Sequence, residues 1–403
     1  MFQSTIRRFL PRAFLRASAL WHLKPTTKFA SFFLASSFFY NFTHNRYFVK
    51  NATDPTPPEM FITDEDYDDG PADWSTDGKR IMTVCVTGAG GALSLAFLPL
   101  LLDGSVFGPN VRIRLRLLDL PEKKQGLYGL AMELEDSIYP LLENIKIGSD
   151  PKKLFKHCDL VIGLAGLPRK RGASRMDLLK TNGHIYKEHG QALNEVGKRD
   201  VRFVVVANPA NTNTLILQQN APNIPAQNFT CATRIDQNRA VAQLAFKANI
   251  LPRDIQNVVA WGNHSNTIYP DVNNGKLEGK PIRSVITDDK YLDEEFVESI
   301  QKRGDEILSY REHPSVLSGA NALKDHIRDW WHGTEPSNWV SMGVVSDGSY
   351  NVPKGLVFSF PVVTKYFRYN IVRELELDDL SKKRLNIAIQ ELTKEREEAS
   401  KYE

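Results

Sequence analysis

The sequence predicts an α/β protein with a doubly wound parallel sheet, followed by a mixed α/β region. Three observations support this fold class. Short runs rich in Val, Ile and Leu recur through the first half of the chain, and helix-like runs separate them. Such continuous apolar runs are typical of strands buried on both faces of a parallel sheet. A glycine-rich turn follows the first of these runs near residue 88. Strands that alternate with helices form right-handed βαβ units.

The predicted elements follow one another from residue 80. Helices are expected at 93–102 and 127–138, and strands at 80–87, 111–118, 158–165 and 202–206. Beyond these, a helix is expected from Asp236 to about Lys247, and a strand over the apolar run 255–260. Ligands bind such sheets at the carboxyl ends of the strands, so the residues that follow each strand are the candidate site.

Composition and charge exclude several classes of protein. The chain has 403 residues, 42% hydrophobic and 25% charged, which suits a globular protein of two domains. Its first 53 residues hold eight Arg and Lys and no Asp or Glu, so the remaining chain is net acidic and no nucleic-acid partner is expected. Cys85, Cys158 and Cys231 form no CxxC pair, so no metal is expected and a reducing compartment is indicated.

Residues 1–53 form a basic extension that resembles a mitochondrial transit peptide, because arginines alternate with apolar residues and serines. Other interpretations stay open: a secretory or membrane signal around the apolar run 29–42, or an uncleaved leader on a cytoplasmic protein. The run has 14 residues, fewer than the ~20 that a membrane helix needs, so no stable membrane insertion is expected.

Residues 54–79 are expected to form a solvated linker. Their acidic residues include Asp64, Glu65, Asp66, Asp68 and Asp69, and apolar residues are few. Like charges repel one another, and a segment with little apolar surface cannot offset the entropy of folding. The extension and the linker are therefore expected to be dispensable, so that a chain beginning near Trp74 keeps its activity.

Two features on successive strands suit a dinucleotide. Glycines in the turn from Gly88 to Ser94 let the backbone approach a pyrophosphate, whose charge then lies at a helix N-terminus. Asp119 ends the next strand, where a carboxylate accepts hydrogen bonds from ribose hydroxyls and repels a 2′-phosphate. Glycine turns are common and a lone strand-end Asp is usually just solvated, but the two together favour NAD over NADP.

Three further segments carry charged groups. Pro168–Arg175 holds four cations, Asp236 and Arg239 lie three residues apart on one helix face, and His264 follows a strand-like run. Each has an ordinary structural explanation when it is taken alone: a solvated surface, a surface ion pair and a structural histidine. Their combination is far more specific.

From Met82 to about Leu392 the chain resembles malate dehydrogenase, most closely the cytosolic-type branch of the lactate/malate dehydrogenase family. The matching stretches are SVFG (105–108), LLDL (117–120), MELED (132–136), GLPRKRGASRMDLLKTN (166–182), NPANTN (208–213), TRIDQNRA (233–240), WGNHSNTIYPDVN (261–273), GVVSDGSY (343–350) and FSFPVV (358–363). The resemblance implies a Rossmann-type NAD-binding domain at 80–232, a catalytic domain at 233–403, and a homodimer with the helical face around Asp136 as its interface. It also implies reversible hydride transfer between malate and NAD.

The resemblance also assigns the site residues. It makes His264 the proton donor and acceptor, Asp236 its partner, and Arg239 the clamp on the carboxylate next to the reacting carbon. On the loop 167–176 it assigns Arg169 and Arg175 to the substrate. Asn208 contacts both the substrate and the nicotinamide ribose. The implied cofactor contacts are Gly88, Ala89, Gly90, Gly91, Ala92, Leu93, Ser94, Asp119, Asn182, His189, Val206, Ala207 and Asn208.

The chemistry of the reaction agrees with these roles. Reduction of a ketone builds negative charge on its oxygen, so the site must stabilise that charge and deliver a proton. A carboxylate at Asp236 would fix the tautomer of His264 and stabilise a positive ring. Arg175 would polarise the oxygen, and the planar fork of Arg239 suits a carboxylate.

The sequence departs from the family pattern at two positions on the cofactor side. Ala92 replaces a long amide, and His189 stands where glutamine is usual. Two alternative functions stay open, which are another 2-hydroxy acid dehydrogenase, such as a lactate-type enzyme, and a non-catalytic relative. Arg169 argues against the first, because lactate-type enzymes have glutamine there. The presence of all five key groups argues against the second.

Overall fold

The fold is described from a computed structural model, which covers residues 62–402 except 69, 72 and 168–174. The basic extension with its apolar run 29–42, and most of the predicted substrate loop, therefore lie outside the described residues. Within the described part, no helix is both long enough and apolar enough to cross a membrane. The three cysteines are buried and form no disulfide.

The strands are numbered in chain order. Their bounds are β1 (Ile62–Asp64), β2 (Arg80–Thr87), β3 (Val111–Leu118), β4 (Leu142–Gly148), β5 (Leu160–Gly163), β6 (Arg202–Val205), β7 (Phe229–Cys231), β8 (Ile255–Gln256), β9 (Val259–Trp261), β10 (Tyr269–Asp271), β11 (Lys276–Leu277), β12 (Lys280–Pro281), β13 (Val340–Val345), β14 (Val357–Lys365) and β15 (Arg368–Ile371). The helices are α1 (Ala92–Leu102), α2 (Lys124–Asp136), α3 (Pro151–Leu154), α4 (Arg175–Val196), α5 (Ala210–Gln219), α6 (Arg234–Ala248), α7 (Ile282–Val285), α8 (Phe296–Arg311), α9 (Leu317–His332) and α10 (Asp379–Ala399).

Ten of these strands form one sheet in the order β1-β4-β3-β2-β5-β6-β7-β13-β14-β15. The pairs from β1 to β7 are parallel, and those from β7 to β15 are antiparallel. The run β4-β3-β2-β5-β6-β7 has the strand order of a doubly wound dinucleotide-binding domain. The predicted fold class is therefore confirmed, and the strand order reverses between β2 and β5.

Buried apolar side chains on the central strands explain why this sheet forms. Ile81 and Val84 lie on opposite faces of β2 and are both buried, as are Ile113 and Leu115 on one face of β3. Each such side chain contributes about 1.5–3 kcal/mol when it leaves water. The strands predicted at 80–87 and 111–118 match β2 and β3 residue for residue.

The strand predicted at 255–260 is wrong as a single element. The structure has two short strands there, β8 and β9, which lie on either side of Asn257. The φ of Asn257 is 64°, in the left-handed region. Asn tolerates this conformation better than most residues, but it interrupts an extended strand. Trp261, at the end of β9, leads directly into the segment that carries His264.

The prediction of a solvated linker at 54–79 is wrong for its second half. Ile62–Asp64 forms β1, which pairs in parallel with Ile145–Ile147 of β4 and extends the edge of the sheet. The acidic side chains that were expected to repel one another instead pair with lysines: Asp66 with Lys153 and Asp68 with Lys156. A chain beginning near Trp74 would lack this strand, and its activity stays a prediction.

Candidate active site

The candidate site lies at the carboxyl edge of the parallel strands, as the fold class predicts. The strands β2, β3, β5, β6 and β7 all end at this edge, and the loops that follow them begin there. The backbone amide of Ala165, after β5, donates to the hydroxyl oxygen of Thr87 at the end of β2, at 3.1 Å. The two strands at the reversal of strand order are thus joined where the loops begin.

The glycine turn after β2 approaches the neighbouring backbone very closely. Gly88 has a φ of 67°, and a Cβ built on it would lie 2.8 Å from the Cα of Ala165. No larger residue fits there without a shift of the backbone. Gly90, Gly91 and Ala92 are exposed, and α1 begins at Ala92. The turn therefore presents the N-terminus of α1 to solvent, an arrangement that suits a pyrophosphate.

Asp119 lies beside this turn, at the end of β3. Its Oδ2 accepts a hydrogen bond from the amide of Gly90 at 2.8 Å, and its Oδ1 accepts one from the amide of Leu120 at 2.8 Å. The residue is only half-buried. Each carboxylate oxygen can accept a further hydrogen bond, so both are suited to ribose hydroxyls.

Asn182 joins two of the loops. From α4, its side-chain amide donates to the carbonyl of Asn208 at 2.7 Å and to that of Leu167 at 3.2 Å, and its oxygen accepts from the Leu167 amide at 2.9 Å. Asn182 is fully buried, whereas Asn208 is exposed at the end of the segment Val206–Asn208. The structure thus brings these predicted residues together at the same edge as Gly88.

Asp236 and His264 form a close pair, although they are 28 residues apart in the chain. The Nδ1 of His264 lies 2.6 Å from the Oδ2 of Asp236, and 3% of the Asp236 side chain is exposed against 20% of the His264 side chain. Asp236 lies in the first turn of α6, which begins directly after β7. A buried carboxylate on Nδ1 fixes the tautomer of the ring, so that Nε2 becomes the nitrogen for proton exchange.

Arg239 lies one helical turn further along α6. Its Nη1 donates to the other oxygen of Asp236 at 3.3 Å, and its Nη2 donates to the hydroxyl of Ser315 at 3.1 Å. Its Nε is buried and has no hydrogen-bond partner among the described residues. A buried guanidinium N–H without an acceptor is costly, so this position favours an anionic oxygen.

Residues that the sequence did not single out hold the His264 segment in place. Asn211 on α5 accepts a hydrogen bond from the His264 amide at 3.0 Å and donates to the carbonyl of Gly262 at 3.2 Å. The Nδ2 of Asn263 donates to Glu391 at 2.8 Å and to Glu395 at 3.1 Å, both on α10. Asn211 lies in the NPANTN stretch, so the family resemblance could have identified it as a functional residue. No local pattern indicates Glu391 or Glu395, because they approach from more than 120 residues away in the chain.

The structure does not place His189 with the other predicted cofactor residues. It is buried, with its ring edge-on to Phe155 and Tyr186 at 5.4 and 5.7 Å between centroids. Burial lowers the pKa of His189 to about 4, so the ring is neutral in the core. Asn182 lies seven residues earlier on the same helix, about 10 Å nearer the carboxyl edge at 1.5 Å per residue. The cofactor contact of His189 stays a prediction.

The two loop arginines stay predictions. Arg169 lies outside the described residues. Arg175 is the first residue of α4, but the position of its side chain is outside the description. Both ends of the segment 168–174 are nevertheless at the site, since Leu167 is bound to Asn182 and α4 begins at Arg175.

The described residues fit a bound dinucleotide. Gly88 lets the turn pass close to the backbone of Ala165, the residues Gly90, Gly91 and Ala92 are exposed, and Asp119 lies at hydrogen-bonding distance from the turn. The fit extends to Val206–Asn208 on the other side of the strand reversal. No group of three or more His, Cys, Asp or Glu side chains in the described part of the chain is arranged to hold a metal ion.

Comparison with known families agrees with this geometry. Residues 82–230 match the NAD-binding domain of lactate/malate dehydrogenases. Residues 233–403 match the alpha/beta C-terminal domain of the same family. Together the two matches cover the whole sheet except β1, the first two residues of β2 and the last residue of β7.

Individual relatives give the same result. A probable malate dehydrogenase 3 of Dictyostelium discoideum is 44% identical over 328 residues, which are 80% of this chain and 98% of the relative. A malate dehydrogenase structure from Naegleria fowleri is 37% identical with a TM-score of 0.77, covering 80% of this chain and 99% of that one. A Trichomonas vaginalis lactate dehydrogenase, solved with NADH and oxamate, is 32% identical with a TM-score of 0.76, covering 80% and 98%.

Proposed function

The chain belongs to the lactate/malate dehydrogenase family, and on that basis we propose that it is an NAD-dependent malate dehydrogenase. The reaction is the reversible oxidation of (S)-malate to oxaloacetate with NAD as the acceptor. The observation that carries the proposal is the buried Asp236, which binds His264 with one carboxylate oxygen and Arg239 with the other. One carboxylate thus holds together an acid–base group, His264, and a carboxylate-binding group, Arg239.

His264 donates and accepts the proton of the reaction. When bound, NADH supplies the hydride that the ketone carbon accepts. His264 protonates the ketone oxygen from Nε2 in the reduction and removes the proton from the hydroxyl in the reverse direction. Asp236 stabilises the ring while it carries the proton, because its carboxylate lies 2.6 Å from Nδ1. Burial of that carboxylate strengthens the interaction by excluding water.

Arginines bind the substrate. Arg239 holds the carboxylate next to the reacting carbon, which supplies an acceptor for its buried Nε. Arg175 polarises the reacting oxygen, and Arg169 binds the distal carboxylate. Asn208 contributes an exposed amide at the junction of substrate and nicotinamide ribose.

The direct test is an assay of the purified chain with NADH and oxaloacetate. We expect NADH to be consumed at a turnover of about 10–10³ s⁻¹, which is ordinary for an enzyme. A chain that binds NADH but consumes none with any 2-oxo acid would be a non-catalytic relative. Consumption with pyruvate but not oxaloacetate would support the second candidate, a lactate-type enzyme, which the similarity to the Trichomonas vaginalis structure favours.

Asp119 is expected to set the choice of cofactor. Its carboxylate would face the 2′-phosphate of NADPH at close range, where two like charges repel by about 4 kcal/mol at 4 Å. The wild type should therefore strongly prefer NADH. Asp119→Ser should lower the ratio of kcat/KM with NADH to kcat/KM with NADPH by at least about tenfold. Asp103→Ser, at the opposite end of α1, is the control and should leave the ratio unchanged. Equal use of both cofactors by the wild type would rule this role out.

A homodimer is part of the proposal. Near Asp136, α2 exposes the apolar side chains of Tyr128 and Met132, and Ile138, two residues beyond the end of the helix, is exposed as well. Exposed apolar groups concentrated on one face are typical of an interface. Sedimentation of the purified chain should give twice the mass of one chain, and a monomer at micromolar concentration would contradict the proposal.

We also propose that the basic segment 1–53 directs the protein to mitochondria. The support is compositional, since arginines and serines occur there without acidic residues. Sequencing the N-terminus of the protein from its native cells should find a start after this segment. An intact Met1 in a cytoplasmic fraction would contradict mitochondrial import.

A further inference from the structure

The acidic segment that includes the edge strand β1 carries two side chains that the proposed mechanism does not use. Both lie at the carboxyl edge of the sheet, where the cofactor is proposed to bind. These are Asp64, the last residue of β1, and Glu65, which follows it. We call Ile62–Asp68 the acidic strap. We propose that Asp64 and Glu65 are positioning residues for the adenosine end of the cofactor, acting through the two elements on either side of Asp119. This inference rests on the proposed function, since it takes Asp119 as the ribose-binding carboxylate.

Glu65 fixes the corner that follows β4. Its Oε2 accepts hydrogen bonds from the amides of Ser149 at 2.6 Å and Asp150 at 3.0 Å. Only 13% of the Glu65 side chain is exposed. The carbonyl of Gly148, at the start of the same corner, accepts a hydrogen bond from the Asp119 amide at 3.2 Å. Glu65 is therefore two contacts away from the backbone that carries the Asp119 carboxylate.

Gly148 is closely fitted to this arrangement. A Cβ built on Gly148 would lie 2.2 Å from the Oε2 of Glu65 and 2.6 Å from its Cβ. Real atoms do not approach so closely, so the absence of a side chain at 148 is what admits Glu65 to the corner. The close packing indicates one defined position for the Glu65 carboxylate instead of a loose surface contact.

Asp64 fixes the other side of Asp119, which is helix α2. Its carboxylate accepts hydrogen bonds from the Nζ of Lys124 at 3.1 Å and from the hydroxyl of Tyr128 at 2.9 Å. Lys124 begins α2 only five residues after Asp119. Leu127 of the same helix lies 3.8 Å from the position of a Cβ on Gly90, so α2 also borders the glycine turn.

The strap and the residues that follow it are packed against the domain. Thr63 of the strap is buried, and the carbonyl of Gly70, just after it, accepts a hydrogen bond from the Nη1 of Arg114 at 3.4 Å. Without β1, the backbone groups of Ile145–Ile147 would become an open sheet edge. The strap therefore holds the β4 corner and α2 in one geometry, with Asp119 between them.

The test uses the full chain with Glu65→Gln and Asp64→Asn, which keep the shape of each side chain but remove its charge. Both variants should raise the Kd of NADH about fivefold to tenfold, because charge-assisted hydrogen bonds are roughly twice as strong as neutral ones. ADP-ribose, which contains the adenosine end alone, should lose affinity by the same factor. The kcat with saturating NADH and the KM for oxaloacetate should stay within about twofold of the wild type.

Asp66→Asn and Asp68→Asn are matched controls from the same strap. Asp66 and Asp68 pair with lysines at the surface, where ion pairs contribute little, so both controls should bind NADH and ADP-ribose like the wild type. Equal Kd values for Glu65→Gln, Asp64→Asn and the wild type would overturn the inference. So would a lower kcat and melting temperature with unchanged Kd, since that pattern indicates a purely structural role.

Failure of the strap inference can be distinguished from failure of the proposed function. If the wild type reduces oxaloacetate with NADH and the two variants bind NADH normally, only the strap inference fails. If the wild type reduces no 2-oxo acid, the proposed function fails, and the ADP-ribose titration still decides whether the strap positions the adenosine end.

Discussion

Replacement of His264 with asparagine is expected to lower kcat for oxaloacetate reduction by about 10³-fold, the usual contribution of a general acid or base. An asparagine side chain fits the space of the imidazole ring but cannot deliver a proton at neutral pH. The Kd of NADH should stay within about twofold, because the glycine turn and Asp119 are separate from the acid–base pair. Steady-state kinetics and a fluorescence titration of NADH measure the two quantities.

Asp236→Asn should lower kcat by about 10²- to 10⁴-fold, because an amide can stabilise the wrong tautomer of the neighbouring ring. The variant also leaves Arg239 without its carboxylate partner, so the KM for oxaloacetate should change as well. Asp288→Asn is the control, since Asp288 is an exposed carboxylate paired with Lys247 at 3.6 Å. A His264 variant with wild-type kcat would show that another group delivers the proton. An Asp236 variant with wild-type kcat would show that the His264 ring does not need this carboxylate.

The second large effect is expected at Arg169. Oxaloacetate and pyruvate share the ketone and its neighbouring carboxylate, so His264 and Arg239 can serve both. They differ at the distal end, where only oxaloacetate carries a second carboxylate. An arginine can form two parallel charge-assisted hydrogen bonds to that group. With pyruvate the guanidinium would lack its partner, which costs several kcal/mol if it is buried.

Arg169→Gln should therefore lower kcat/KM for oxaloacetate about 10²-fold or more and raise that for pyruvate, with unchanged NADH binding. The neighbouring cations provide matched controls, because Lys170→Gln and Arg171→Gln remove the same charge on the same segment. Both controls should keep the preference for oxaloacetate. Retention of that preference in Arg169→Gln, with its loss in one of the other two, would assign the distal carboxylate to that residue instead.

Local patterns in the sequence predicted the central strands well. The run 80–87 is largely apolar, and the run 111–118 alternates apolar residues with arginines before it ends in two leucines. Both runs are short and bounded by glycine, asparagine or charged residues, which is typical of strands. The run 255–260 has a similar composition but is divided by Asn257 in the left-handed region. The backbone conformation of one residue is not visible in a hydrophobic pattern, which is why that prediction failed.

Contacts distant in sequence were the other source of error. The acidic segment looked unable to fold because its own charges repel, but its partners are lysines about 60 to 90 residues away. Glu391 and Glu395 hold the His264 segment from α10 without any local signal. In both cases the three-dimensional neighbours decided the role.

The pair of Asp236 and His264 shows what a resemblance adds to such patterns. From the residues alone, each group had an ordinary explanation as a surface ion pair or a structural histidine. The family resemblance predicted that they meet, and the structure places their side chains 2.6 Å apart. The proposed role of Arg169 in substrate preference falls on a residue outside the described part of the chain, so kinetics must decide it.

The most direct measurement is therefore the ratio of kcat/KM for oxaloacetate to kcat/KM for pyruvate, determined with NADH on the full-length wild type. A dicarboxylate dehydrogenase should show a ratio of about 10³ or more, since each 1.4 kcal/mol of discrimination is tenfold. A ratio near one, or one that favours pyruvate, would contradict the proposed function and indicate a lactate-type enzyme on the same fold.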